Sequence, residues 1–350
     1  MTRPDDQGIS TPFARAHVGG RLATGLQDVT SDLAALDSSG FWVVVVTFEG
    51  AVTCARFGDV RPAPLPSGRW SGPARSAWST SMSKADYHRA VDAVRAEIAA
   101  GDVYQVNVCR VLTAELPEPA AADPAGLARL LATGNPAPYS ALVELPGLVV
   151  ISASPERFLR HDGDLIDSSP IKGTGRVPSD LQDKDRDENV MIVDLVRNDL
   201  GQVCRPGSVK VPELCRVEQH PGLVHLVSTV VGRLEPWVDW PAIFAATFPP
   251  GSVSGAPKSS ALRSIRALEP GPRGPYCGTV GWVDADTHTA DLAVGIRTFW
   301  ITRDGDQAHP LVHLGVGAGI TWASEPELEW QETELKAATL LQVAGSTTAR

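Results

Sequence analysis

The stretch Ser168-Ser169-Pro170-Ile171-Lys172-Gly173-Thr174-Gly175 places one lysine between a proline and two glycines. Proline fixes its own φ, and glycine adopts backbone angles that other residues avoid, so the sequence predicts a defined turn that aims a single ammonium. On composition alone, the simpler interpretation is a surface turn with a solvated lysine. A functional role for Lys172 therefore depends on whether the rest of the chain supplies a site around it.

The composition is typical of a globular protein with a sizeable core, because the 350 residues are 43% apolar and 21% charged. The formal net charge of −10 argues against broadly negative partners, so we expect no nucleic-acid and no membrane partner. The polar first ten residues show no secretion signal, and the longest apolar run is too short to cross a bilayer. Five cysteines without a CxxC spacing predict free thiols in a reducing compartment, and hence a cytoplasmic location.

Upstream of the lysine, the pattern predicts strands around one capped helix. Residues 38–60 are rich in β-branched and aromatic residues and predict two strands joined by a turn. Ser83 followed by Asp86 three residues later is typical of a helix N-terminus, and Gly101 ends that helix. Residues 139–167 predict a meander of strands that delivers the chain to the lysine.

The stretch GDVYQVNVCRVL, residues 101–112, predicts a strand with an unusual polar face. Alternation places Tyr104 and Val106 on one face, and Gln105 and Asn107 on the other. That second face is either exposed to solvent or lines a cavity. The pattern leaves both interpretations open.

Downstream, DKDRDENVMIVDLVRNDLGQV, residues 183–203, predicts a helix closed by a glycine. In it Glu188 is in phase with Ile192 and Leu195, so the carboxylate falls on the apolar stripe. Asp185 lies one turn earlier on the same side.

The last predicted helix begins near residue 324 and, like the previous one, carries a carboxylate on its apolar stripe. Its apolar stripe includes Glu332, in phase with Leu328 and Leu335, and Glu329 lies one turn before Glu332. A buried carboxylate is costly unless it is paired or binds a metal. Each acid could pair with its own Lys or Arg, but two such helices favour a shared oxygen-ligand site for Mg²⁺.

Two glycine-rich segments also predict ligand contacts. PPGSVSGAPKSSALRSIRALEPG, residues 249–271, lacks the Gly-Lys pair of a P-loop and instead predicts a turn entering a helix with Pro257 near its first position. Such a helix start favours a carboxylate or phosphate nearby. Residues 315–319, GVGAG, are a weak dinucleotide fingerprint but offer approachable backbone N–H groups, and Arg297 interrupts an apolar strand and so needs a partner.

Together these motifs resemble the chorismate-utilising enzymes from about residue 86 to the C-terminus. The resemblance is carried by GDVYQVN, SPERF, PIKGT, DRDENVMIVDLVRNDLG, GSVKVPEL, HLVST, GSVSGAPK, CGTVGW, GIRT, GAGI and EWQET. It implies an α+β fold in which a central antiparallel β-sandwich is flanked by helices. Residues 83–345 would form the chorismate-binding catalytic domain, with residues 1–82 as a shortened, β-rich N-terminal segment and linker packing on it.

The resemblance also implies roles for individual residues. Glu188 and Glu332 would bind Mg²⁺, with Asp185 and Glu329 nearby, and Glu156 would be a general acid or base at the leaving hydroxyl. The residues implied to contact substrate are Gln105, Thr174, Ser252, Arg297 and the backbone of Gly317, Ala318 and Gly319, with His225 beside the ring.

Lys172 and Gln105 indicate the reaction within the family. Anthranilate synthases resemble this chain but carry Ala at the position of Lys172, whereas aminodeoxychorismate synthases carry Lys and use it as a covalent nucleophile. Isochorismate and salicylate synthases place a lysine base at the position of Gln105, and an amide cannot act as that base. The resemblance thus implies amination of chorismate at C4 for p-aminobenzoate and folate synthesis, and anthranilate or isochorismate/salicylate formation is the alternative. With no glutaminase nucleophile motif in the chain, ammonia is expected from a separate glutamine amidotransferase subunit.

Overall fold

Runs of β-branched residues, such as the fully buried Phe41–Val46, form the strands of a large antiparallel sheet that folds back on itself into two layers. The computed structural model describes residues 13–175, 177–181, 183–220, 223–303 and 310–348, and the side chains of Thr174, His220 and Leu223 lie outside this description. The polar first ten residues considered above also lie outside it.

The described strands are numbered along the chain, and consecutive groups of them belong to one layer or the other. The first nine are β1 (Arg15–Val18), β2 (Arg21–Thr30), β3 (Phe41–Val46), β4 (Val52–Pro62), β5 (Ser79–Thr80), β6 (Gln105–Glu115), β7 (Tyr139–Leu145), β8 (Leu148–Ser154) and β9 (Arg157–Asp162). The next are β10 (Leu165–Ser169), β11 (Ile171–Gly175), β12 (Lys210–His220), β13 (Leu223–Arg233), β14 (Gly255–Ala256), β15 (Thr279–Asp284), β16 (Thr289–Val294), β17 (Thr298–Thr302) and β18 (Leu311–Ile320).

The α-helices connect these strands and cover the outer faces of the layers. They are α1 (Lys84–Ala100), α2 (Pro124–Gly134), α3 (Asp183–Gly201), α4 (Trp240–Thr247), α5 (Gly251–Ser254), α6 (Lys258–Leu268) and α7 (Pro326–Ala344). Within the part of the chain that the structure describes, none of them is long and apolar enough to cross a membrane.

The strand order explains the two layers. One layer runs β12, β13, then β10 and β11 end to end, β9, β16, β15, β3, β4 and β2. The other runs β1, β7, β8, β17, β18 and β6, with the short β5 and β14 beyond β6. The β1–β2 hairpin joins them. Apolar residues of both layers, among them Val43, Val143, Val150 and Val280, pack in the core between them. The expected α+β sandwich flanked by helices is confirmed.

Several local predictions also hold. Ser83 and Asp86 form a reciprocal capping box at the start of α1, and Gly101 closes that helix at φ 84°. The N-terminal segment contributes strands to both layers, since β1 pairs with β7 and β3 pairs with β15. The division of the chain at residues 82 and 83 stays a prediction.

Three local predictions are wrong. Residues 168–175 are not a turn but strands β10 and β11, which pair with β13 on either side of Pro170. On α7 the buried face is formed by Thr333, Ala337, Leu340, Leu341 and Ala344. Leu328 and Leu335 are exposed, so Glu332 does not lie on an apolar stripe. Arg297 lies in the connection between β16 and β17 rather than inside a strand, with φ 50°.

Candidate active site

A β-bulge aims Lys172 into the molecule. Lys172 pairs with Leu226 and Thr174 with His225, so Gly173 is an extra residue in β11. Its φ of 72° is a conformation that glycine adopts at no steric cost. A Cβ added to Gly173 would lie 2.9 Å from Cβ of Asp185. The glycine of the PIKGT motif therefore allows both the bulge and close packing of β11 against α3.

The Lys172 side chain is only 12% exposed, which rules out the solvated surface lysine. Its Nζ lies 3.7 Å from Oε2 of Glu188 on α3 and donates a long hydrogen bond of 3.5 Å to the Ser252 carbonyl on α5. The ammonium thus lies between a carboxylate and the glycine-rich segment, which come from elements distant in sequence.

Glu156 lies beside Lys172 and is buried. Burial raises the pKa of its carboxyl to about 7, although the Ser252 hydroxyl, the Lys172 charge and the Ile171 N–H all act to lower it. Glu156 and Ser252 line a cavity of about 20 Å³, space for roughly one water. Near neutral pH a substantial fraction of Glu156 is therefore protonated and able to donate a proton.

The polar face of β6 is buried, which excludes the solvent-exposed interpretation of this strand. Gln105 is 1% exposed, and neither its Oε1 nor its Nε2 has a hydrogen-bond partner among the described residues. A Cβ added to Gly319 would overlap Nε2 of Gln105 and lie 3.5 Å from Nζ of Lys172. Unpaired buried amide groups are costly, so this amide is suited to bind a ligand beside Lys172.

The edge of β18 that faces away from β6 is only partly paired among the described strands. Strand β17 pairs with β18 only as far as Leu314. The Gly317 carbonyl accepts a hydrogen bond of 2.9 Å from Lys336 Nζ, so the polar groups of Gly317 point away from β6. By alternation, those of Gly319 point the same way, and those of Ala318, paired with Val108, point towards β6. Two backbone N–H groups, rather than three, are therefore directed to the unpaired part of this edge.

Two further predicted residues, Arg297 and His225, have well-defined side-chain positions. Arg297 has no ion pair among the described residues, and burial lowers the pKa of its guanidinium. Such a cation is suited to an anionic ligand. His225 is 2% exposed and lies opposite Thr174 in the β11–β13 ladder. The Thr174 side chain lies outside the described part of the chain.

The acids of α3 and α7 influence one another's pKa values, both within each helix and between Glu188 and Glu332. Burial raises the pKa of Glu188, and the charges of Asp185 and Glu332 raise it further. Burial and the charge of Glu332 likewise raise the pKa of Glu329. Burial also acts to raise the pKa of Glu332, but Lys336, 2.7 Å away, and other lysines leave it lowered.

This acidic group fits a divalent cation by its chemistry. Carboxylate oxygens are the donors that Mg²⁺ prefers, and mutual repulsion of the acids would be relieved by a cation. Among the residues described, however, no three acids or histidines lie in ligand geometry. Glu188 faces Lys172, and Glu332 is paired with Lys336. The donor set is suited to the metal, although its geometry is not that of a formed site.

Sequence reasoning missed the residues that hold these elements in place. Arg110 on β6 is buried, bonds Thr333 at 3.0 Å, pairs with Glu334 and stacks 4.1 Å over Trp330. It thereby fixes the turn of α7 that carries Glu329 and Glu332. An arginine on the strand face that also carries Val106 and Val108 was the available signal.

Comparison with known proteins places the chain in a family. A family model described as chorismate binding enzyme matches residues 54–342. An aminodeoxychorismate synthase from Streptomyces pristinaespiralis is 44% identical over 268 residues, which cover 73% of this chain and 36% of that protein. An anthranilate synthase component 1 from Haloarcula marismortui is 42% identical over 255 residues, covering 69% and 50%. The chain thus spans half or less of the length of these two relatives.

Solved structures agree on the fold. The anthranilate synthase component I from Streptococcus pneumoniae superposes with a TM-score of 0.78 at 22% identity, covering 97% of this chain and 95% of that one. The likeness at this identity concerns the fold alone. The family match, which extends over most of the chain, goes further: this protein belongs to the chorismate binding enzyme family.

Proposed function

We propose that the chain aminates chorismate, converting chorismate and ammonia to 4-amino-4-deoxychorismate with Lys172 as a covalent nucleophile. The observation that carries this proposal is the burial of Lys172 between Glu188 and Ser252, beside the protonatable Glu156. The 44% identical aminodeoxychorismate synthase supports it.

The proposed reaction has two displacements. Neutral Lys172 attacks C2 of chorismate, the ring double bonds shift, and the C4 hydroxyl leaves as water with a proton from Glu156. Ammonia then attacks C4, the double bonds shift back, and the lysine amine leaves from C2. Glu156, now a carboxylate, accepts the proton that the incoming ammonia loses. The net reaction is chorismate plus ammonia to 4-amino-4-deoxychorismate plus water.

The remaining residues bind the substrate in this proposal. Arg297 and the N–H groups of Gly317 and Gly319 would hold one carboxylate, because among the described residues the guanidinium has no ion pair and no strand pairs with this part of the β18 edge. The amide of Gln105 would hydrogen-bond the substrate beside Lys172. His225 and Thr174 would lie beside the ring.

Mg²⁺ is part of the proposal, held by Glu188 and Glu332 with Asp185 and Glu329 nearby. When bound, it would supply positive charge to a substrate carboxylate and favour the neutral form of a neighbouring amine. In the structure, Glu188 lies against Lys172 and Glu332 lies against Lys336.

Anthranilate formation is the second candidate, because the 42% identical relative is an anthranilate synthase component 1. Lys172 argues against it, since a nucleophilic lysine is not required for that reaction. Gln105 argues against isochorismate formation, since an amide cannot activate water as a base.

The proposed source of ammonia is a separate glutamine amidotransferase subunit. The word component in the names of relatives such as the Haloarcula protein supports a partner chain. The purified chain should therefore use ammonium salts and should not use glutamine. Equal rates with glutamine and with ammonium would contradict this part of the proposal.

The test of the function is product analysis. The purified chain is incubated with chorismate, Mg²⁺ and ammonium, and the products are separated with and without an aminodeoxychorismate lyase. A main product that the lyase converts to p-aminobenzoate supports the proposal. Anthranilate or isochorismate as the main product would overturn it.

A further inference from the structure

Lys258, at the start of α6, binds two other helices. Its Nζ donates at 2.7 Å to Oδ2 of Asp199 on α3 and at 2.9 Å to the carbonyl of Thr247, the last residue of α4. The side chains of Lys258 and Asp199 are only 16% and 8% exposed. A buried ion pair of this kind needs good geometry to offset its desolvation, and one ammonium here joins the ends of three helices.

These contacts close a loop. Residue 258 lies at one end of the segment 248–257, and Thr247 lies at the other, so the bond from Lys258 to Thr247 clasps the segment at its base. The segment contains α5, whose four residues are too few to hold their own position by helix packing. Asp199 anchors the clasp to α3, the helix that also carries Glu188.

The clasped segment contacts both reacting groups of the candidate site. In its middle, the Ser252 hydroxyl donates to Glu156, and the Ser252 carbonyl accepts from Lys172. Thr247, Asp199, Ser252 and Glu156 all line the same small cavity. A shift of the segment base therefore moves the partners of the acid and of the amine together.

We propose that Lys258 is a positioning residue for catalysis, which clasps the 248–257 segment so that Ser252 holds Glu156 and Lys172 in their reactive arrangement. Lys258 itself contacts neither group. This role explains the lysine of the GSVSGAPK motif without any phosphate ligand.

The inference rests on the proposed function only for the roles of Glu156 and Lys172. Its test therefore reads chorismate consumption, whatever the product, in the presence of Mg²⁺ and ammonium. Product identity is measured in the same samples, so that an unexpected product overturns the proposed amination while the consumption rates still test Lys258.

The experiment is a double-mutant cycle of Lys258→Met and Ser252→Ala. A displacement of about 1 Å remote from the chemistry can cost roughly 100-fold, so Lys258→Met is expected to lower kcat about 100-fold with the KM for chorismate within about threefold. In the Ser252→Ala background, the same substitution should cost less than about tenfold, because one of the two contacts through which it acts, the hydroxyl bond to Glu156, is already lost and only the carbonyl contact with Lys172 remains.

Lys84→Met is the matched control, because Lys84 makes an equally short ion pair with Glu327 at the surface. It should leave kcat within about twofold. Circular dichroism checks folding, and Lys258→Gln, which also removes the charge, replaces Lys258→Met in the cycle if the latter does not fold. Equal losses from the Lys258 substitution in both backgrounds would overturn the proposal in favour of a general structural role. Unchanged kcat would overturn it as well.

Discussion

The two sides of the candidate site are built differently. The amine side, with Lys172, Glu156, Ser252 and Gln105, is buried and fixed by backbone elements: a bulged strand, a clasped loop and a central strand. The acidic side, with Asp185, Glu188, Glu329 and Glu332, is more accessible and relies on lysines to offset its charge.

This difference indicates that the amine side serves the chemical step and the acidic side serves metal binding. On the amine side, packing determines where each group lies before any ligand arrives, so its substitutions should affect the chemical step. On the acidic side, repulsion raises the pKa of Glu188 and Glu329, and a cation would complete the arrangement. Substitutions there should affect metal binding first.

The largest effect is expected from Lys172→Ala. Loss of a covalent nucleophile should reduce 4-amino-4-deoxychorismate formation on the order of 10⁴-fold, with chorismate still bound, as measured by product assay and calorimetry. Lys184→Ala is the control, because Lys184 lies near the same acids at the surface of α3. It should retain activity within about fivefold. Full activity of Lys172→Ala would show that Lys172 is not a nucleophile in the reaction.

Glu156→Gln should have the next largest effect, about 1,000-fold in kcat, because the leaving hydroxyl loses its proton donor. The pH dependence gives a second readout. A carboxyl with a pKa near 7 is protonated below that pH, so kcat/KM of the wild-type protein should fall as pH rises through about 7. This alkaline limb should be absent from the residual activity of Glu156→Gln. If kcat/KM of the variant still fell as pH rises through about 7, the titrating group would be one other than Glu156.

On the acidic side, Glu332→Gln should weaken Mg²⁺ binding by about 100-fold without reducing the rate as much at saturating metal. Binding is measured by calorimetry in the absence of substrate. Glu327→Gln, which changes an ion-paired surface acid on the same helix, should leave the affinity unchanged. Equal Mg²⁺ affinities for the wild-type protein and Glu332→Gln would exclude this acid as a ligand.

The smallest effect is expected at the contact between the two sides. Gly173→Ala places a Cβ 2.9 Å from Cβ of Asp185 in a left-handed conformation, and should destabilise the fold by about 2–3 kcal/mol in urea unfolding. Gly147→Ala is the control, because Gly147 has a similar φ of 77° and a Cβ added there would meet no atom within 4 Å. It should lower the free energy of unfolding by only about 1 kcal/mol. Equal losses of unfolding free energy in the two variants would show that β11 and α3 move apart without cost to accommodate a Cβ at this contact.

Local rules predicted the parts of the fold that depend on neighbours in sequence. The capping box at Ser83, the strands β3 and β4, and the spacing of acids on α3 and α7 all follow from short patterns. A site shared by the two acidic helices was predicted from the cost of burying a charge on each, a premise that is wrong for Glu332, which does not lie on an apolar stripe. This pair of helices was the one long-range relation that the sequence indicated.

The errors arise where distant strands decide the structure. Pro170 and Gly173 suggest a turn, but pairing with β13 keeps the chain extended, and Gly173 becomes the extra residue of a β-bulge. The α7 stripe was misassigned because Thr333 is buried against Arg110, an interaction between residues 223 positions apart. Gln105 packs against Gly319 of β18, a contact that periodicity within β6 cannot show.

The central claim is that Lys172 forms a covalent bond to the substrate, and intact-protein mass spectrometry tests it directly. The protein is incubated with chorismate and Mg²⁺ without ammonia, quenched in acid, and digested to locate the modification. We expect a mass increase of one chorismate less one water, confined to the peptide that contains Lys172. Addition of ammonium should remove this adduct. Turnover to 4-amino-4-deoxychorismate by a protein that never carries this adduct would contradict the account.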